Sequence, residues 1–313
     1  MIDVSTTTNL SGVYPVFNTT FLADESLDLD ALRRELDWIA DQGADGITLG
    51  MVSEYLRLAP DERLAVAEVA ADVARARGIG AVISVGAEST RLAARFAAAA
   101  EGVGATAVMA IPPVTLDLDE AAIADYFEAI LDATSLPLVV QDASGYIGRP
   151  LTLELQVALL ERHGERVLFK PEATPVGPRL SALRDATGGA ARVFEGNGGA
   201  SLVDSYKRGV VGTMPGAEVC WAVVTMWRLL KRSDFDVAER LSAPLVSMIG
   251  HQSSLDSFVV AEKHLLHAQG VLRNTVSRRP LGAELDHETA RELERLRAVL
   301  RSRCDDVVAE AST

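Results

Sequence analysis

Residues 136–172 read LPLVVQDASGYIGRPLTLELQVALLERHGERVLFKPE. Two short apolar runs, 136–141 and 167–170, flank a segment of helical periodicity that Thr152 opens as an N-cap. Neither run alternates apolar with polar residues, which suits parallel strands covered on their outer face. The second run ends on Lys170 and is followed at once by Pro171 and Glu172. An amine in a dry pocket favours its neutral form, and a neutral amine attacks a ketone to form a Schiff base. The bland alternative is a lysine whose stem lies on apolar surface while its head reaches water. For a lone lysine that alternative is the commoner one, so the surrounding pattern has to decide.

The strand–helix unit recurs. Further strand-like runs fall at 12–17, 46–50, 81–86, 105–111, 192–195 and 210–213, and helical periodicity fills 28–42, 60–77, 89–102 and 119–134. Pro60 with Asp61 and Glu62, Ser89 and Asp119 mark helix starts. Eight such units match an α/β fold of the (β/α)8 TIM-barrel type. A doubly wound sheet is the runner-up, but it needs only about five or six strands, and no G-x-G-x-x-G follows the first run. The eighth helix is expected near 218–232, closing a barrel over 1–232. Three further helical stretches, 236–249, 255–269 and 287–304, predict a C-terminal extension over 233–313 packed against the barrel's side.

A net charge of −14 over 313 residues argues against nucleic acid or an anionic membrane as partner. Cys220 and Cys304 lack a CxxC spacing, so neither a disulfide framework nor a structural zinc site is expected. The five histidines, at 163, 251, 264, 267 and 287, lie outside the strand runs. His264 and His267 have helical i, i+3 spacing, which reads as a solvated pair, and His251 reads as helix packing. No metal and no cofactor are expected. The polar start at Asp3, Ser5, Thr6, Thr7 and Thr8 lacks the regions of a signal peptide, and no apolar stretch approaches a membrane span. The expectation is a cytoplasmic protein.

Barrel sites form at the C-terminal strand ends. Here those ends carry Gly50-Met51-Val52-Ser53-Glu54, Gln141-Asp142, Lys170-Pro171-Glu172 and Glu195-Gly196-Asn197-Gly198-Gly199. Period-two alternation puts Glu172 on the same side as Lys170, where it is either a general acid/base or the partner of a loop arginine. Gln141 orients substrate or serves as a core amide, and it transfers no proton near neutral pH. Ser53 binds a carboxylate or caps the next turn, while Met51 and Val52 wall the substrate site. Asn197 approaches substrate or serves turn geometry. Glu54 reads as a structural acceptor of loop N–H groups. The glycine-rich 209–216 segment hints at a phosphate loop, although close barrel packing explains it better.

Taken in order, these motifs resemble the dihydrodipicolinate synthase and N-acetylneuraminate lyase family. The resemblance runs through Gly12-Val-Tyr-Pro-Val, Asp45-Gly-Ile, Gly50-x-x-x-Glu54, Leu58-x-x-Asp61-Glu62-Arg63, Ile111-Pro-Pro, Gly148, Lys170 and Arg279-Pro280-Leu281. It implies that Lys170 forms an imine with pyruvate or another 2-keto acid in a dimeric or tetrameric enzyme. The chain departs from the family pattern in several places. Met51 and Val52 replace the threonines of the strand-two turn, Gln141 replaces the acid/base tyrosine, Pro113-Val114 stands where a neighbour's tyrosine is usual, and Tyr146 replaces an arginine. One branch is more similar, the 2-keto-3-deoxy-L-arabonate dehydratases, through Met109-Ala-x-Pro-Pro, Val140-Gln141-Asp142-Ala143, Phe169-Lys170-x-Glu172 and His251. The resemblance therefore implies dehydration of a 2-keto-3-deoxy sugar acid. Retro-aldol cleavage from the same imine is one alternative; keto-acid binding without catalysis is the other, and the hydroxyls lost at Met51, Val52, Gln141 and Val114 support it.

Overall fold

Period-two alternation divides the strand residues into an inner and an outer set, and both are buried. The computed structural model describes residues 10–310; the polar 3–8 stretch lies outside the described residues. Among the described residues there are eight strands: β1 (Gly12–Val13), β2 (Gly46–Leu49), β3 (Gly80–Ser84), β4 (Ala107–Ala110), β5 (Leu138–Asp142), β6 (Val167–Pro171), β7 (Phe194–Glu195) and β8 (Gly212–Thr213). Val82, Ala107, Met109, Val139, Leu168 and Phe194 pack together inside. Their chain neighbours Ile83, Val108, Leu138, Val140, Val167 and Phe169 belong to the larger outer core shared with the helices. Continuing the inner parity upward, Gln141 stands above Val139, and Lys170 above Leu168.

All strand pairs are parallel, in the orders β2-β3-β4-β5-β6 and β1-β8-β7. Single parallel bridges, Val16 to Thr48 and Phe169 to Val193, join the two sheets edge to edge. This is the connectivity of a (β/α)8 barrel. Several strands are shorter than their apolar runs. Pro15 has no N–H to continue the β1 ladder, and Pro215 likewise ends β8. Gly212 is needed where these strands meet, since a Cβ there would stand 2.3 Å from the Gly12 carbonyl oxygen. Close packing thus accounts for this part of the glycine-rich segment.

The surrounding helices are α1 (Leu29–Asp41), α2 (Pro60–Arg77), α3 (Thr90–Val103), α4 (Glu120–Ala133), α5 (Leu153–His163), α6 (Val176–Ala186), α7 (Leu202–Lys207) and α8 (Cys220–Lys231). Their starts follow local chemistry. Asp28, Ser89, Asp119 and Thr152 each accept an N–H from the first turn of α1, α3, α4 and α5. Pro60 occupies the first turn of α2, and Gly78 ends it at positive φ.

Three more helices follow: α9 (Phe235–Ile249), α10 (Leu255–Ala268) and α11 (His287–Glu310). α11 packs on α9, which packs on α8. α10 departs from the expected side-on packing, because it packs against the turn that follows β2 and so reaches the barrel mouth. Its buried residues include Glu262 and Lys263 as well as Phe258, Val259, Leu265 and Leu266. His251, expected in helix packing, is exposed in the turn after α9. Among the described residues, no helix is long and apolar enough to cross a membrane.

Candidate functional site

β5 and β6 are aligned so that Gln141 lies beside Lys170 in the sheet. Their side chains therefore leave the same inner face at the same height. Glu172 follows two residues after Lys170 and connects them: Lys170 Nζ donates to Glu172 Oε1 at 2.6 Å, and Gln141 Nε2 donates to Oε2 at 2.8 Å. All three side chains are buried. Both Glu172 oxygens are thus held, and of the two readings of Glu172 the loop-arginine pairing is not the one seen. Gly196 makes room for the pair, since a Cβ there would lie 2.8 Å from Glu172 Cγ and 3.0 Å from Lys170 Cε.

These residues line a narrow cavity of about 40 Å³ at the C-terminal end of the barrel. Met51 and Val52 form one wall, Gly196 and Gly198 another, and Tyr146, Leu255, Phe258 and Glu262 contribute from above. Tyr146 meets Phe258 edge-on, with ring centroids 5.5 Å apart. The Tyr146 hydroxyl is pushed up by burial first and then by Glu172, Glu195 and Glu262. Larger openings exist elsewhere, one of about 470 Å³ between α5 and α6 beside the start of β6. That opening lies at the barrel's stability face and holds no lysine or strand-end carboxylate.

Five of the seven expected site residues, Met51, Val52, Gln141, Lys170 and Glu172, thus converge on one cavity. Ser53 and Asn197 stand outside its lining. The Ser53 hydroxyl donates to the Phe17 carbonyl and accepts the Gly50 N–H, so both of its capacities serve the turn. Asn197 donates its backbone N–H to Glu195 Oε1 at 3.2 Å and accepts from the Ala200 N–H, which is turn geometry. Asp142, beside Gln141, accepts the N–H groups of Ser144 and Leu151 and so shapes the loop after β5.

Glu54 has the structural role expected of it. In a left-handed conformation (φ 57°), it accepts the Arg278 N–H at 3.0 Å and the Lys263 ammonium at 2.5 Å. This buried ion pair ties the Met51–Val52 turn to α10. Burial lowers the Lys263 pKa, and the Glu54 charge opposes the shift. Glu54→Ala would leave the Lys263 ammonium buried without a counter-charge. The expected loss of unfolding free energy is about 3–5 kcal/mol, read from urea titration; a loss below about 1 kcal/mol would contradict the pairing argument.

Four carboxyl groups near the mouth were not singled out by sequence. Glu195 accepts the Thr213 hydroxyl at 2.6 Å and is pushed up by burial. Glu35, Glu218 and Glu262 are also fully buried and pushed up by burial, Glu35 to about 8 and Glu218 to about 7. Glu262 had one visible signal, a Glu-Lys pair at helical spacing from Phe258, Val259, Leu265 and Leu266, where an apolar face was due.

Comparison with known proteins agrees with this architecture. Residues 9–299 match the dihydrodipicolinate synthetase family. L-2-keto-3-deoxyarabonate dehydratase from Azospirillum brasilense is 27% identical over 297 residues, spanning 92% of this chain and 94% of that protein. N-acetylneuraminate lyase from Escherichia coli O1:K1 is 34% identical over 149 residues, 47% of this chain and about half (50%) of the lyase. The solved dihydrodipicolinate synthase from Rhodopseudomonas palustris has a TM-score of 0.84 at 26% identity, with 93% of this chain and 97% of that one covered.

Proposed function

The chain belongs to the dihydrodipicolinate synthetase family, and from that premise we propose a lyase that forms a Schiff base with a 2-keto-3-deoxy sugar acid. The reaction is a dehydration of the 2-keto-3-deoxy-L-arabonate type, as in the Azospirillum brasilense relative. The observation that carries the reading is the buried chain Lys170–Glu172–Gln141. Glu172 takes the ammonium proton across the 2.6 Å contact, and the freed amine attacks the C2 ketone. Glu172 returns that proton to the hydroxyl formed at C2, which leaves as water and gives an iminium that acidifies C3. Glu172 then removes a C3 proton, and expulsion of the C4 hydroxyl completes the dehydration.

The walls fit this use. Backbone N–H groups of the Met51–Val52 turn are donors for the substrate carboxylate, and Gln141 orients a substrate hydroxyl by hydrogen bonding. The iminium serves as the electron sink, so the chemistry calls for no metal.

Product analysis after incubation with a panel of 2-keto-3-deoxy acids tests the proposal. A dehydrated keto acid is expected from at least one pentonate. Pyruvate with a short aldehyde would make the protein an aldolase instead, and binding without turnover would make it a non-catalytic relative.

A further inference from the structure

Glu262 reaches the lysine cavity from α10, and its surroundings are unlike those of Glu172. Asn18 Nδ2 donates to Glu262 Oε2 at 3.2 Å. Oε1 lies beside Gly216, itself part of the cavity wall. A Cβ on Gly216 would stand 2.7 Å from Glu262 Oε1 and 2.2 Å from Glu218 Oε2. The two carboxyls therefore crowd one glycine. Glu218 Oε2 is buried without a hydrogen-bond partner, which suits a carboxyl whose neighbour carries a proton.

The charges facing Glu262 push in one direction. Burial raises its pKa well above the carboxylate range, and Glu218 and Glu35 raise it further. Asn18 and Lys263 oppose them, but the Lys263 ammonium is already paired with Glu54 at 2.5 Å. Like-charged carboxyls in one dry site cannot both ionise cheaply, so the pair holds a proton near neutral pH. Tyr146 is influenced by both Glu172 and Glu262, and all three line the same cavity.

We propose that Glu262 is the acid that protonates the departing C4 hydroxyl, with Glu218 as its positioning residue and Glu172 as the base at C3. This rests on the dehydratase reading above. Glu172 takes a C3 proton, and the C3–H electron pair forms the C2–C3 double bond of an enamine. The C4–O bond then breaks while Glu262 gives its proton to the leaving oxygen, so water departs and an iminium conjugated to C3–C4 remains. Glu262, now a carboxylate, removes a proton from C5 of a pentonate, and Glu172 returns its proton to C3. Both carboxyls are thereby restored, and the resulting C4–C5 enol tautomerises to the aldehyde. Two carboxyls of opposite protonation complete a cycle in which only water is lost.

The test compares Glu262→Gln with wild type in two reactions. Exchange of pyruvate C3 protons with deuterium, followed by NMR, needs Lys170 and Glu172 but no C4 acid. It is expected to stay within about threefold of wild type, while dehydration of a 2-keto-3-deoxypentonate falls by about 100-fold or more, in the range of a lost general acid. Glu218→Gln removes a neighbouring negative charge and so weakens Glu262's hold on its proton. The alkaline limb of the dehydration rate is then expected to move to lower pH. Dehydration by Glu262→Gln within about fivefold of wild type, parallel loss of exchange and dehydration, or an unmoved limb in Glu218→Gln would each overturn the assignment. A wild type that forms no trappable imine would instead defeat the dehydratase reading, and the C4-acid role with it.

Discussion

Borohydride added with pyruvate is expected to inactivate the protein by fixing a secondary amine on Lys170. Reduction of a carbon–nitrogen double bond formed in place leaves a stable secondary amine on the protein, so the label reports the nucleophile directly. Lys170 is the lysine among the side chains lining the cavity, and Glu172 stands 2.6 Å away to receive its proton. Mass spectrometry should place the adduct on the peptide carrying Phe169-Lys170-Pro171. Lys170→Ala should form no adduct and lose more than about 1000-fold in turnover, equivalent to about 4 kcal/mol of barrier. That substitution also leaves the Glu172 carboxylate without its charged partner, so circular dichroism should first establish that the variant folds. Labelling at another lysine, with Lys170→Ala still active, would refute the Schiff-base reading.

Much of this architecture was legible before any coordinates, for reasons that are local. The inner and outer strand sets follow from period-two alternation, and the helix starts at Ser89, Asp119 and Thr152 follow from single side-chain-to-backbone bonds. The Lys170–Glu172 contact is equally local, since two residues on one strand edge share a side. Gln141 needed one further step, the strand register that sets it beside Lys170.

What the sequence hid depends on distant segments. Ser53 reads as a free hydroxyl until the Phe17 carbonyl, 36 positions away, is seen to accept its proton. The path of α10 over the mouth depends on the Glu54–Lys263 pair, which joins positions 209 residues apart. Glu262 enters the cavity only because that helix is placed there. A charged residue on an amphipathic helix is ordinarily assigned to solvent, and here the assignment fails because the helix is buried on the face that carries it.

Glu172→Gln should cut turnover sharply while imine formation persists more slowly, since solvent must then take the Lys170 proton, and this separates the C3 base from the nucleophile. The amide keeps an oxygen to accept from Gln141 Nε2, now 2.8 Å from Glu172, but it cannot cycle a proton near pH 7. A loss of about 10²–10⁴-fold is expected for a general base, with the borohydride adduct on Lys170 still detected. The same substitution bears on the choice between dehydration and aldol cleavage. Retro-aldol chemistry needs a base at the C4 hydroxyl, and Gln141 has no titratable proton with which to serve. Glu262, whose carboxyl burial and Glu218 push well above the usual carboxylate range, is the proposed acid toward that oxygen. Both groups near the C4 position thus favour breaking C4–O over C3–C4. A 2-keto-3-deoxypentonate should therefore yield a keto-acid semialdehyde with little pyruvate, read by NMR of the reaction mixture. Pyruvate and a short aldehyde as major products, or a fully active Glu172→Gln, would mean that a different group moves the protons.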